Sequence, residues 1–224
     1  KKNSITNSSY LKYIHEHVQA LNGSKIFAGV MIITLNIVSR FVNIKLSKKG
    51  ISVIYGENGA GKTTLLRLMS GILQTNKGYV YYCNDFKPSF IFQKPILLRR
   101  TVEDNLLHIL MINNNMSKSD ALSQVRDLLS KYDLVDISKE FAFKLSGGQQ
   151  QMVSILRSLI VKPNILFCDE PTSNLDKKNR LLVEEILREK SKTNKIILVT
   201  QDETQSRKMA DEFYHLEDMK LKIK

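Results

Sequence analysis

Residues Gly56, Glu57, Asn58, Gly59, Ala60, Gly61, Lys62 and Thr63 form one uninterrupted run that combines three glycines, a lysine and a hydroxyl. Such a loop wraps phosphate oxygens closely, because positions without a Cβ let the backbone approach them. The N–H groups of residues 59–64 are expected to point inward at the start of a helix, whose positive end favours an anion. Lys62 is expected to set an ammonium against the β and γ phosphates, Thr63 to offer its hydroxyl to Mg²⁺, and Thr64 to meet the α phosphate. The chemistry is the binding of a nucleoside triphosphate.

Two further groups extend that chemistry. Asp169 follows the apolar run 165–168, and a carboxylate at the mouth of a buried strand suits Mg²⁺ coordination. Glu170 follows it as a candidate general base able to polarise an attacking water. Ser146, Gly147, Gly148 and Gln149 could bind a second phosphate by the same backbone logic, with the serine hydroxyl as an added donor. As a bare string these residues are also an ordinary helix N-cap. One sheet edge cannot bring both loops to the same γ phosphate. The economical arrangement is a homodimer, in which this loop of one copy caps the nucleotide of the other.

The elements that must position these groups are legible in the hydrophobic pattern. Residues 51–55 read as an apolar strand running straight into the glycine-rich loop, and residues 63–70 as a helix with Gly71 as its stop. Short strands are expected at 78–82 and 89–92, helices at 101–110, 118–132 and 148–159, and a continuous apolar strand at 165–168. A helix at 181–190, a buried strand at 196–199, a last helix at 206–213 and a hairpin over 214–223 complete the pattern. Alternating helices and fully apolar strands argue for an α/β fold with a mainly parallel central sheet. Residues 94–150 lack such a strand and read as a helical insertion.

Composition bounds the alternatives. A chain of 224 residues, 42% hydrophobic and 25% charged, can bury a proper core. The net charge of +12 can favour nucleic acid, anionic headgroups or acidic partners. The lysines are scattered, with no basic arm and no interleaved aromatics, so no dedicated nucleic-acid binding is expected. Cys83 and Cys168 have no metal-ligand spacing; Cys168 reads as a small buried hydrophobe, and a reducing compartment is the natural setting. The start of the chain is polar and does not read as a secretory leader. Residues 26–38 are mostly apolar but well short of the roughly 20 residues of a membrane span, so a buried strand is expected there.

Taken together, the loop at 56–63, the Leu145-Ser146-Gly147-Gly148-Gln149 string and the Cys168-Asp169-Glu170 stretch resemble the nucleotide-binding subunit of an ABC transporter. The resemblance runs from about residue 45 to 216. It implies a RecA-like P-loop NTPase core (about 1–93 and 152–224), an N-terminal antiparallel β subdomain and a helical subdomain at about 94–151. It implies ATP and Mg²⁺ as ligands. Gln93 matches the loop that touches Mg²⁺ or water and couples to the membrane subunit, and Asp176, in Ser173-Asn174-Leu175-Asp176, matches the loop that communicates across the dimer. The block after Gln93 looks like bacterial importer subunits, most similar to the branch serving tungstate and related oxyanions, with phosphate and polar amino-acid systems close behind. The implied partners are a second copy, integral membrane permease subunits and a solute-binding protein, with the chain cytoplasmic and peripheral on the inner face of the membrane.

The sequence also departs from that family. Gln201 stands where a switch histidine should contact the γ phosphate; its amide can donate a hydrogen bond but cannot carry a positive charge. Hydrolysis is therefore expected to be slowed rather than abolished, with Glu170 still in place. Met152 replaces a usual basic residue, and Tyr13 is the nearest candidate for an adenine-stacking ring. Two other functions remain open on the sequence: a soluble ABC ATPase that remodels nucleic-acid or protein complexes, and a slow-turnover regulatory module that Gln201 keeps in view.

Overall fold

A computed structural model of the chain describes residues 31–37, 40–74, 78–81, 86–113, 116–217 and 220–223. Tyr13 and Cys83, and residues 26–30 and 38 of the apolar segment, lie outside the described residues.

Residues 31–37 of that segment form strand β1 (Met31–Ile37), paired antiparallel with β2 (Arg40–Leu46) and β4 (Gly78–Tyr81) in a three-stranded sheet ordered β2-β1-β4. The second sheet has six strands: β3 (Gly50–Tyr55), β5 (Pro88–Ile91), β6 (Ile165–Asp169), β7 (Lys195–Thr200), β8 (Glu212–Glu217) and β9 (Lys220–Ile223). Their order is β5-β6-β7-β3-β8-β9, parallel except for the terminal β8–β9 hairpin. Strands β6 and β7 are buried at every position. That explains their unbroken apolar sequence, since a parallel strand covered on both faces has no polar alternation to show.

Register decides where chemistry can occur. Tyr55 pairs with Thr200, and Asp169 and Ile54 both pair with Val199. Strands β3, β6 and β7 therefore end level with one another, and the loops after Tyr55, Asp169 and Thr200 emerge side by side at the carboxyl edge of the sheet. Ligands in open parallel sheets bind at that edge.

Helix α1 (Lys62–Met69) covers one face, packing Leu65, Leu66 and Met69 against Ile54, Phe167 and Val199. On the other face, α4 (Gly147–Leu159) and α5 (Lys177–Ser191) bury Met152, Ile155, Val183 and Leu187 against Val53, Leu166 and Leu198. Cys168 is buried in this layer without a disulfide partner, and burial pushes its thiol pKa up, so it is an inert apolar group. A third core joins α2 (Val102–Asn113), α3 (Lys118–Lys131) and the outer face of α4 through Leu106, Leu110, Val125, Leu129, Val153 and Leu156. Helix α4 thus belongs to two cores and runs unbroken through residues 151 and 152.

One expected element is corrected. The last helix, α6, spans Glu203–Met209 instead of 206–213, and Phe213 lies in β8. The Asp202 carboxylate caps α6 by accepting from the Gln205 N–H, and the Asp211 N–H donates to the Ile51 carbonyl as the chain enters the sheet. Phe213 stacks on Tyr55 at 6.2 Å across the β3–β8 pair. An apolar run this short does not separate helix from strand by periodicity. Helix α5 also begins at residue 177, earlier than its apolar pattern suggests, because Asp176 caps it and its first turn is polar. Among the described residues, no helix is long and apolar enough to cross a membrane.

A candidate nucleotide-phosphate site at the carboxyl edge

The loop between β3 and α1 has the shape its glycines require. Gly61 is the N-cap of α1 at φ 91°, in the left-handed region where a side chain is strained. A Cβ on Gly56 would collide with the backbone oxygen of Leu216 on β8. Lys62 is almost fully buried, and its ammonium donates to the carbonyls of Gly56 (2.8 Å) and Glu57 (2.9 Å). With three protons and two carbonyls engaged, the ammonium keeps a donor for a phosphate. Glu57, Asn58 and Gly59 are exposed at the rim, as is Thr64 on the first turn of α1.

Two carboxylates stand across from this loop. Asp169 ends β6, nearly buried, and accepts a 2.8 Å hydrogen bond from the Thr63 hydroxyl. Burial raises its pKa, partly opposed by Thr63, Arg67 and Lys62. Among the described residues, no group of three or more His, Cys, Asp or Glu could hold a metal alone. The Thr63–Asp169 oxygen pair instead fits an ion such as Mg²⁺, which takes one or two protein oxygens and fills the rest of its shell with phosphate and water.

Glu170, the next residue, sits at φ 43°, and its N–H donates to the Val199 carbonyl. A non-glycine residue in the left-handed region is a local strain of the kind found at functional sites. Its carboxylate lies 3.7 Å from the Lys62 ammonium on one oxygen and accepts from the Gln93 amide on the other at 3.1 Å. Burial raises the Glu170 pKa, opposed by Lys62 and reinforced by Asp169. Gln93, Lys62 and Glu170 therefore meet, although 31 to 108 residues of chain separate them in sequence.

Gln201 is exposed one residue past β7 and shares with Glu170 a small cavity of about 190 Å³ that Ser173 and Arg180 also line. Ser146 caps α4: its hydroxyl accepts from the Gln149 N–H, and Gln149 reciprocates by accepting the Ser146 N–H. The hydroxyl proton stays available to an external acceptor. Gly147 and Gly148 sit in the first turn, where helical N–H groups lack intrahelical partners. Gly148 approaches Asn179, and Asn179 is held by Asp176, whose carboxylate caps α5. Met152 is buried in the apolar layer, which is why a charge is absent there. Among the described residues, no hydrogen bond joins the Ser146 turn to the Lys62 loop within one copy.

Gln205 and Glu184 help hold this site from outside any recognisable string, and Gln151 does so from the end of the glycine–glutamine run at 147–151. Gln205 is buried on α6; its amide donates to the Thr172 hydroxyl (2.7 Å) and to Glu184 (3.0 Å) and accepts from the Thr200 hydroxyl. Glu184, on the buried face of α5, also accepts from Arg180 and Lys208, and Arg180 reaches Asp202 at 2.6 Å. Gln151 bridges two loops from α4. The sequence signal for these is a polar residue on the apolar face of a predicted helix, which buried polar chemistry must explain.

Known proteins show the same pattern. The sequence profile of the ABC transporter family matches residues 40–173. The ATP-binding protein of a tungstate uptake system from Peptoclostridium acidaminophilum is 34% identical over 75% of this chain and 81% of its own length. A Staphylococcus epidermidis ATP-binding protein assigned to hemin import is 32% identical over 81% of this chain and 88% of its own. A solved transporter assigned to the metal-chelate ABC type, in an inward-facing conformation, superposes with a TM-score of 0.75 at 25% identity, covering 88% of this chain and 83% of that one.

Proposed function

Because the chain belongs to the ABC transporter family as an ATP-binding and ATP-hydrolysing subunit, we propose that two copies close around two ATP molecules and power a separate membrane permease for solute import. The convergence of Lys62, Gln93 and Glu170 on one point beside the Thr63–Asp169 pair carries this reading.

In the proposed mechanism the N–H groups of residues 59–64 and the Lys62 ammonium bind and orient the phosphates. Residues 56–58 shape the loop, and Ala60 packs at its base against the first core. Thr63 and Asp169, with Gln93 nearby, would hold Mg²⁺, which when bound neutralises charge on the phosphates. Glu170 accepts the proton of the attacking water, and its raised pKa strengthens it as a base relative to an ordinary surface carboxylate. Gln201 donates a neutral hydrogen bond toward the γ phosphate, so turnover is slow. Ser146, Gly147, Gly148 and Gln149 of one copy close the site of the other, and the Asp176–Asn179 pair holds that turn from α5. The division into a core (about 1–93 and 152–224) and a helical part (about 94–151) belongs to the same proposal.

The permease is proposed to meet the groove of about 440 Å³ beside Gln93, which Phe90, Phe92, Ile96, Ile109 and Arg157 line. A surplus of positive charge suits a place beside anionic headgroups on the inner face of the membrane. The tungstate relative supports an oxyanion as cargo, with a solute-binding protein as the proposed carrier to the permease, and the hemin relative names the cargo a transport assay must distinguish from it.

The test is Glu170→Gln. Phosphate release should fall by roughly 10² or more, and ATP with Mg²⁺ should drive the variant into a dimer visible by light scattering. A variant that binds ATP and stays monomeric, alone and with its permease, would contradict the two-copy site.

A further inference from the structure

Gln151 is a buried amide on a helix whose neighbouring buried positions are Met152, Val153, Ser154, Ile155 and Leu156. Its Nε2 donates to two backbone carbonyls, Phe92 at 3.3 Å and Pro171 at 3.1 Å. Phe92 directly precedes Gln93, and Pro171 directly follows Glu170. Those two side chains are themselves joined by the 3.1 Å bond from the Gln93 amide to the Glu170 carboxylate. The result is a closed ring: α4, the loop after β5, and the loop after β6 each hold the other two.

The orientation of the amide is fixed by its surroundings. Turned over, its oxygen would face two carbonyl oxygens and find no donor. In the orientation observed, Oε1 is buried with no hydrogen-bond partner among the described residues. An unsatisfied buried acceptor costs stability; an apolar side chain of the same length would remove it but would leave the Phe92 and Pro171 carbonyls without this donor. The donor is retained at the expense of the acceptor, which points to a task for the donor.

We propose that Gln151 is a positioning residue that ties the helix carrying Ser146 to the Gln93–Glu170 pair. Helix α4 begins at the turn proposed to cap the partner copy's nucleotide, and Gln151 lies on its second turn. A shift of that turn on closure moves Gln151 with it and, through the carbonyls of Phe92 and Pro171, sets the distance between the Gln93 amide and the Glu170 carboxylate. Occupancy of one site is thereby read by the hydrolytic pair of the other. This deepens the proposed ATPase function and rests on it.

The test uses Gln151→Leu and Gln151→Met, both of which keep the volume and remove the donor, alone and with Gln93→Ala. ATP binding, followed with a fluorescent analogue, should stay within about twofold of wild type, while kcat falls by roughly 10- to 100-fold, the scale of a small misplacement of a reacting group. If Gln151 acts through the Gln93–Glu170 pair, the double variant should be no slower than the slower single one. Multiplying losses, an unchanged kcat, or equal losses in affinity and kcat would overturn the assignment. Failure of both variants to fold would overturn it too, since it would make holding the Phe92 and Pro171 carbonyls a structural task and not a positioning one. If wild type itself hydrolyses no ATP with its permease present, the ATPase reading fails; if wild type turns over and the variants match it, this assignment alone fails.

Discussion

Glu170 and Gln201 line one cavity, and their difference in chemistry sets the expected rate. Glu170 is held by the Lys62 ammonium on one side and the Gln93 amide on the other, which suits the base proposed for it. Gln201, in the role proposed for it, offers only a neutral amide where a positive charge would best stabilise charge building on a γ phosphate. Gln201→His should therefore raise turnover, by roughly tenfold or more, with ATP affinity little changed; phosphate release under saturating ATP measures it. An unchanged rate would remove residue 201 from the mechanism and leave Glu170 and Lys62 to account for the chemistry. Gln201 is exposed at the first position past β7, so a histidine there needs no repacking.

Elements α5, α6 and the loops after β6 and β7 are tied to one another by buried polar groups in addition to their apolar packing. Burial pushes the Glu184 carboxyl up, and hydrogen bonds from Lys208, Arg180 and Gln205 more than offset it, leaving its pKa below the usual value. A carboxylate held down in this way adds stability that is complete above the unfolded pKa of about 4.3 and is lost as pH falls through the lower folded value. Glu184→Gln should cost about 1–2 kcal/mol near neutral pH, because Arg180 and Lys208 are partly open to solvent. That is a drop of roughly 2–8 °C in Tm. Melting curves from pH 7 down to about pH 3 should show the gap between wild type and variant shrinking only below about pH 4; a gap independent of pH would show that Glu184 is not held as an anion. Strands β3, β6 and β7 and the Lys62 loop were legible in the sequence, because buried strands and a glycine-rich turn leave unbroken local patterns. Gln205 and Gln151 were not, since their partners Thr172, Glu184, Phe92 and Pro171 come from other elements and no local spacing encodes that meeting. The error at Phe213 has the same origin: its strand partner Tyr55 is remote in sequence.

At the scale of the molecule, each proposed nucleotide site is incomplete within one copy. The Lys62 loop, the Thr63–Asp169 pair and Glu170 gather at one sheet edge, while Ser146 heads a helix with its hydroxyl proton and the Gly147 and Gly148 N–H groups outside the capping bonds. In the proposed dimer a second copy supplies what each lacks. The direct measurement is ATP turnover per protomer as a function of protein concentration, with light scattering on the same samples. A composite site predicts a rate per protomer that climbs with concentration and levels off as the ATP-bound dimer fills. A constant rate per protomer from samples that scatter as monomers throughout would contradict it.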